Sequence, residues 1–455
     1  MSNENLHTDP QDTAEQDDQG KRLMPSLGAI PRYLSAVLSQ GLVSGFHFGM
    51  NLMLVRLLPA VEFGIFALTF VVAVIVSSVS NALASTPLCV YAPGASSDAE
   101  RRRIESLLTT IMLFLLGSVI AGGLLFVAGG IAFGNSAAVL LAALAFVTTY
   151  LARQYSRSFG YARFDVIAVL RGDIVYVATG CVALAGMMLA GISVGVTHVL
   201  LVLSAGNLLA VVFEVNRLQH TPALSSIRKT LTDYASIWQQ TRWALIGAIT
   251  TVIVSQAHSL VVSVIKGPAA FAPLAAGFVI FGPVRVIFTT IQNVIKPEMA
   301  LAIAMDNSRS ALRQTIMASA ISMLAVAGLA VMMTLAWPWL DRWLYAEHYS
   351  EQPMQMIVYL WAAITFIGAA QNGPFAALQS LREFRSLALA TVYGSILSVL
   401  LVTLALSFYP VHFSILGILL AETFVMLWVV RLTAERYGHH ISVVEPVRHA
   451  GKNEV

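Results

Sequence analysis

Long apolar segments separated by short polar breaks cover most of the chain. A helix needs about 20 apolar residues to span a bilayer, and the pattern predicts about twelve such segments. Their approximate limits are 34–57, 64–90, 105–130, 137–158, 166–190, 193–214, 242–265, 270–295, 311–337, 354–379, 385–408 and 412–432. The breaks carry turn residues, as in "LPAVEFG" and "KGPAAFAP". The chain is therefore predicted to be an all-α, polytopic membrane protein.

The longest break follows the sixth apolar segment and divides the chain into two halves. The predicted organisation is a disordered polar tail at 1–30, an N-terminal lobe of six helices at 31–216, a linker at 217–241, a C-terminal lobe of six helices at 242–433 and a tail at 434–455. Six helices per lobe give both lobes the same orientation in the membrane. A parallel repeat of two related lobes is therefore allowed.

The linker between the lobes has an amphipathic pattern. Its apolar residues recur at helical spacing, with the charged residues off that stripe; they are Ile227, Leu231, Tyr234 and Trp238. This pattern predicts a helix lying on the cytoplasmic membrane surface. The alternative is an ordinary solvated connector.

Basic residues predict the orientation of the helices, because cytoplasmic segments are enriched in Lys and Arg. Of the 27 Lys and Arg residues, 22 are assigned to the tails, breaks and adjoining helix ends on the side of the N-terminus. That group includes Arg153 and Arg157; the opposite side holds Arg56, Lys266 and Arg342, while Arg171 and Arg285 lie within helices. Both termini are therefore predicted to be cytoplasmic.

Composition and motifs point away from several functions. The chain is 57% hydrophobic and 11% charged, and its net charge of +3 is explained by membrane topology, so no nucleic-acid partner is expected. The two cysteines lie in apolar segments and offer no metal cluster. "GISVG" around Ser193 matches a nucleophile motif, but it lies in a turn between membrane helices. The chain is predicted to be no enzyme and to need no metal or cofactor.

Two segments resemble a known transporter family. "RLLPAVEFGIFAL", residues 56–68, and "SFYPVHFSILGILLAETFV", residues 407–425, resemble the corresponding helix junctions of Wzx-type polysaccharide transporters. These belong to the multidrug/oligosaccharidyl-lipid/polysaccharide superfamily, which also holds the MATE exporters. The resemblance implies a MATE-like fold that flips undecaprenyl-diphosphate oligosaccharides across the bacterial inner membrane by alternating access. It also implies a role in surface polysaccharide synthesis, beside a polymerase and export machinery.

Two other functions stay open from the sequence. One is a MATE-like, cation-coupled drug exporter. The other is a membrane enzyme of polysaccharide assembly, which should show large outside loops with catalytic motifs. No such loops are present in the sequence pattern.

Charges inside membrane helices are the first candidates for a substrate site, because central charges are costly and usually face protein or water. Arg285 is 11 positions from Lys296, or about 16 Å along a helix, so it lies near the membrane centre. It is predicted to contact a diphosphate or acidic sugar, or else to form a structural ion pair with Glu422. Glu422 lies at a similar depth and could alternatively couple transport to protons.

The first predicted helix offers two further polar residues. Gly41, Gly45 and Gly49 recur every fourth position and allow close helix approach. His47 and Asn51 lie off that stripe and could line a cavity, although a buried, hydrogen-bonded histidine is the alternative. MATE exporters generally use an acidic residue in this helix, and it has none.

The remaining cavity candidates are amides and one cation. They are Gln292, Asn293, Gln371, Asn372 and Arg171. Gln371 and Asn372 precede Gly373 and Pro374, a pattern that predicts a kink. Arg171 and Asp173 are two positions apart and point in different directions around a helix, so Arg171 is predicted near the inner mouth of the cavity and Asp173 against protein.

Overall fold

The computed structural model describes residues 30–93, 95–216, 227–305, 307–381 and 383–450. Nearly all of these residues are helical, and none of them lies in a strand. The N-terminal lobe contains α1 (Ile30–Leu57), α2 (Ala60–Tyr91), α3 (Asp98–Ala132), α4 (Ala137–Ala162), α5 (Val166–Leu189) and α6 (Val196–Val215). The C-terminal lobe contains α7 (Ile227–Lys266), α8a (Pro268–Val279), α8b (Gly282–Ala304), α9 (Ser308–Tyr345), α10 (Met354–Ser380), α11 (Phe384–Phe408) and α12 (Ser414–Ala450).

The helices are long and apolar enough for a polytopic membrane protein. Among the described residues, nine helices meet the requirements of a membrane span in length and hydropathy. The bent pair α8a and α8b, which meet at 55°, brings the number to ten. α1 and α7, with 28 and 40 residues, are also long enough to cross at 1.5 Å per residue. With α8a and α8b counted as one broken helix, two lobes of six helices result.

Two helices run beyond their predicted limits. α7 begins at Ile227, so residues 227–241, predicted as a separate surface helix, are continuous with the seventh spanning helix. No Gly or Pro interrupts residues 227–246, so nothing in the backbone stops the helix there. α12 likewise continues to Ala450 through residues predicted as a tail. The remainder of the linker, 217–226, and the predicted N-terminal tail up to residue 29 lie outside the described residues.

The two lobes pack tightly at the end of the bundle that the charge pattern predicts to face outside. We call this the predicted outer end, and the opposite end, with Arg101 to Arg103, the predicted inner end. A Cβ atom built on Gly64 of α2 would lie 2.1 Å from the carbonyl oxygen of Pro268 in α8a. Phe63 and Phe271 belong to the same buried core there. The predicted outer end is therefore closed in this conformation.

Candidate functional site

A buried set of polar side chains lies inside the N-terminal lobe. At its centre Asp173 of α5 has no exposed surface, and its Oδ1 lies 2.5 Å from Nη2 of Arg153 and 3.3 Å from Nε of Arg157, both in α4. The hydroxyl of Ser39 in α1 donates a hydrogen bond to Oδ2. A buried carboxylate needs such partners, because an unpaired charge away from water is very costly. Asp173 therefore ties three helices of the lobe together.

Arg153 extends this arrangement towards the first helix. Its guanidinium lies 3.8 Å from the ring centre of Tyr176, a close cation–π contact. The Tyr176 hydroxyl lies 2.8 Å from Nε2 of His47 in α1. His47 thus has a protein partner, and it connects through Tyr176 and Arg153 to Asp173.

Glu214 of α6 completes the group. It accepts a hydrogen bond from the Ser156 hydroxyl of α4. A Cβ atom at Gly172 would lie 2.0 Å from Oε1 of Glu214, so only glycine leaves room for this carboxylate beside Asp173. We call Ser39, His47, Arg153, Ser156, Arg157, Asp173, Tyr176 and Glu214 the N-lobe polar network.

The placement of Arg153 and Arg157 corrects the orientation argument from basic residues. Both were counted with the cytoplasmic segments, but Arg153 is 1% exposed and belongs to the core of the lobe. The reason is that α4 continues to Ala162 and presents both guanidinium groups to Asp173. Without these two, twenty basic residues remain on the predicted inner side against three outside. This excess still predicts cytoplasmic termini.

The break in the eighth helix forms the second polar region. Gly282 begins α8b and faces α1 of the other lobe, where its built Cβ would lie 3.4 Å from Phe48. Arg285 follows three positions later and therefore lies on a neighbouring part of the same helix face. Its side chain is exposed, and its guanidinium carbon lies 5.5 Å from the ring centre of Phe278 in α8a. A cation is thus placed in the first turn after a helix break.

Amide side chains continue this region towards the predicted inner end. Nε2 of Gln292 donates to Oδ1 of Asn372 at 2.5 Å, and Nδ2 of Asn372 donates to the Ser322 hydroxyl at 2.8 Å. Three helices of the C-terminal lobe are joined by these bonds. Asn293 lies in α8b, and its side chain is outside what the structure describes.

Gln371 and Glu422 contact each other between α10 and α12. Nε2 of Gln371 donates to Oε2 of Glu422 at 2.9 Å. The sequence suggested an ion pair between Glu422 and Arg285, but the described contacts of Glu422 are with Gln371. Glu422 and Arg285 share a depth in the membrane, but depth does not fix the direction in which a side chain leaves its helix.

α10 continues through Pro374 from Met354 to Ser380. Proline has no N–H to donate to the carbonyl four residues earlier, which here is that of Ala370. The hydroxyl of Ser319 in α9 donates to this carbonyl at 2.8 Å. The freed backbone group is therefore satisfied from the neighbouring helix.

Two predicted residues remain, Asn51 and Arg171. The Asn51 amide donates to the backbone oxygen of His47 at 2.7 Å, within its own helix. Arg171 is exposed near the start of α5. The structure therefore brings His47 and Asp173 into one group and Gln292 and Asn372 into another. In the described part of the chain, no three His, Cys, Asp or Glu side chains are grouped to hold a metal ion.

The fold has clear relatives among solved structures. An inward-facing multidrug resistance MATE family transporter of the MOP superfamily superposes with a TM-score of 0.68 at 10% identity, covering 90% of this chain and 96% of that one. A MATE in complex with MaD3S gives 0.59 at 12% identity, covering 91% and 96%. An outward-facing multidrug resistance MATE transporter gives 0.51 at 12% identity, covering 91% and 96%.

These likenesses cover nearly the whole chain, and they show that it has the fold of MATE transporters of the MOP superfamily. No family model and no curated protein sequence matches the chain.

Proposed function

We propose that this protein flips lipid-linked oligosaccharides, carried on undecaprenyl diphosphate, across the bacterial inner membrane by alternating access. Both termini are cytoplasmic in this proposal, and the product supplies surface polysaccharide synthesis, with a polymerase and export proteins as partners. The observation that carries the proposal is the position of Arg285, exposed in the first turn after the break in α8.

The position suits a diphosphate for two physical reasons. A helix N-terminus carries a partial positive charge, and the half-helices of transporters use such ends to bind anionic groups in the membrane. Arg285 adds a full positive charge at the same place, with a guanidinium that can bind two phosphate oxygens at once. A substrate whose head is anionic and whose tail is a lipid would use both features.

The sugar part of the substrate needs hydrogen-bonding groups that carry no charge. Gln292 lies about two turns after Arg285 on the same face of α8b. Its side-chain amide bonds to that of Asn372 in this conformation. Each amide has further donor or acceptor capacity for sugar hydroxyls. The same two side chains can therefore serve either the lobe itself or a bound sugar.

A specific observation supports cation-coupled drug export as a second candidate. The N-lobe polar network holds two carboxylates, Asp173 and Glu214, within the membrane-spanning part of the lobe. Oε1 of Glu214 and the amide of Asn207 have no hydrogen-bond partner among the described residues. A site of this kind can exchange a proton or another cation. The fold neighbours include proteins described as multidrug resistance transporters.

A deletion strain complemented with variants separates the two candidates. Flipping predicts that the deletion lowers surface polysaccharide and accumulates lipid-linked intermediates, while drug susceptibility is unchanged. Arg285→Gln should fail to restore polysaccharide, and Arg285→Lys, which keeps the charge but loses the planar fork, should restore part of it. Normal polysaccharide together with increased drug susceptibility would overturn the proposal in favour of export.

A further inference from the structure

One helix, α7, contacts both lobes. α7 has 40 residues and is about 60 Å long. Towards its predicted outer end it belongs to the C-terminal lobe, where Nε2 of His258 lies 3.0 Å from the hydroxyl of Ser414 at the start of α12. At its predicted inner end, Tyr234 is buried in a cluster with Leu88 and Tyr155 of the N-terminal lobe. Relative motion of the lobes must therefore bend α7 or separate Tyr234 from its partners.

The Tyr234 hydroxyl bonds to a backbone carbonyl that lacks its usual donor four residues later in its own helix. Pro87 in α2 has no N–H for the carbonyl of Leu83, four residues earlier. The residues before it, Asn81–Ser85, form a π-helical turn, a feature often found at functional positions. The Tyr234 hydroxyl donates to the Leu83 oxygen at 2.7 Å. A hydroxyl from one lobe thus satisfies a group that proline exposes in the other.

Two neighbouring contacts strengthen this attachment. Asp233 Oδ2 lies 3.1 Å from Nη2 of Arg103 at the inner end of α3. Ile237, one turn after Tyr234 and Asp233, packs against the same N-lobe cluster. We call the Tyr234–Leu83 hydrogen bond, the Asp233–Arg103 ion pair and the packing of Ile237 the α7 contact.

The carbonyl of Ala370 has a hydrogen bond of the same kind as the carbonyl of Leu83. This carbonyl also lacks its usual donor, because residue 374 is proline. It also accepts a hydrogen bond from a hydroxyl of a neighbouring helix, that of Ser319. There, however, donor and acceptor belong to the same lobe. The Ser319–Ala370 bond is kept when each lobe moves as a rigid body. The Tyr234–Leu83 bond joins the two lobes and can be lost in such a movement.

We propose that the α7 contact stabilises the present arrangement of the two lobes at the predicted inner end, and that the Tyr234 hydroxyl contributes part of this stabilisation. When the lobes move relative to each other there, the Leu83 carbonyl loses its donor unless α7 bends to keep it. A movement of the lobes without bending of α7 therefore costs this hydrogen bond. The proposal requires only that the lobes move relative to each other, and it does not depend on which substrate is carried.

Distance measurements between spin labels test it. Both native cysteines, Cys89 and Cys181, are replaced by serine, and labels are placed at the predicted inner end by Arg102→Cys and Met305→Cys, two exposed positions in different lobes. Tyr234→Phe removes only the hydroxyl. We expect it to raise the ratio of other distances to the distance found in the present conformation by about two- to tenfold, the usual net effect of one hydrogen bond.

Two variants make the outcome specific. Ser319→Ala removes the matching bond within one lobe and should leave the distance ratio unchanged. Pro87→Ala restores an N–H for the Leu83 carbonyl, so Tyr234→Phe should have little further effect in that background. An unchanged ratio in Tyr234→Phe, an equal shift in Ser319→Ala, or additive effects of Pro87→Ala and Tyr234→Phe would each overturn the proposal.

Discussion

The close approach of α2 and α8a makes Gly64 a sensitive position for the conformational equilibrium. A methyl group at residue 64 would lie 2.1 Å from the Pro268 carbonyl oxygen, so the two backbones must move apart by at least 1.3 Å to reach the ordinary contact distance of 3.4 Å. Small residues allow such close packing in membranes. Overpacking of this kind costs about 1–3 kcal/mol. Because the contact exists only when the predicted outer end is closed, the cost falls on that conformation alone.

Gly64→Ala should therefore lower the population of the conformation closed at the predicted outer end by about 5- to 150-fold relative to the open one. Spin labels on Phe133→Cys, directly after α3, and on Phe408→Cys at the end of α11, two exposed positions at that end, measure the two populations. Gly49→Ala in α1, where a built Cβ meets nothing within 4 Å, is the matched control. A folded Gly64→Ala protein with the distance distribution of the wild type would refute the reasoning.

Two further predictions concern stability, measured by thermal unfolding in detergent. Asp173→Asn leaves the guanidinium of Arg153 buried without its carboxylate, and we expect a loss of about 3–5 kcal/mol, part of which Arg153→Met should recover in the double variant; an unchanged melting temperature would contradict this role of the ion pair. Gly373→Ala places a methyl 2.0 Å from the Thr315 carbonyl oxygen and should cost about 1–3 kcal/mol, whereas Gly368→Ala, whose nearest neighbour lies at 4.0 Å, should cost much less. Equal effects of the two alanines would show that α9 and α10 adapt freely.

The apolar pattern predicted the helices well, because the thickness of the bilayer sets the length of each apolar segment. The fifth segment was expected at 166–190 and is a helix at Val166–Leu189. The pattern was less informative where helices leave the membrane. α4 runs to Ala162 and α7 begins at Ile227, since polar residues can extend a helix that nothing in the backbone stops.

Side-chain partners were harder to predict than helices. Depth alone suggested that Arg285 and Glu422 could meet, but the rotation of each helix decides the partner, and Glu422 contacts Gln371. The pairing of Arg153 with Asp173 needed the packing of α4 against α5. A signal was nevertheless present: Arg153 and Arg157 are four positions apart and therefore share one face of their helix.

Glu214 was not predicted as a site residue because it lies at the polar end of its apolar segment. Gly172, between two charged residues, was a second signal, because a glycine inside a helix often marks a close approach by another group. The structure shows that this group is the carboxylate of Glu214. Charged residues and helical glycines together would have located the N-lobe polar network.

The most direct test of the proposed function is a flipping assay with the purified protein in liposomes that contain an undecaprenyl-diphosphate oligosaccharide. The fraction of sugar accessible to an added glycosidase or lectin reports movement between leaflets. We predict flipping by the wild type and a rate at least about tenfold lower for Arg285→Gln, since a hydrogen bond to a charged group contributes about 1.5–3 kcal/mol. No flipping by the wild type, or equal rates for the two proteins, would contradict the proposed role of Arg285.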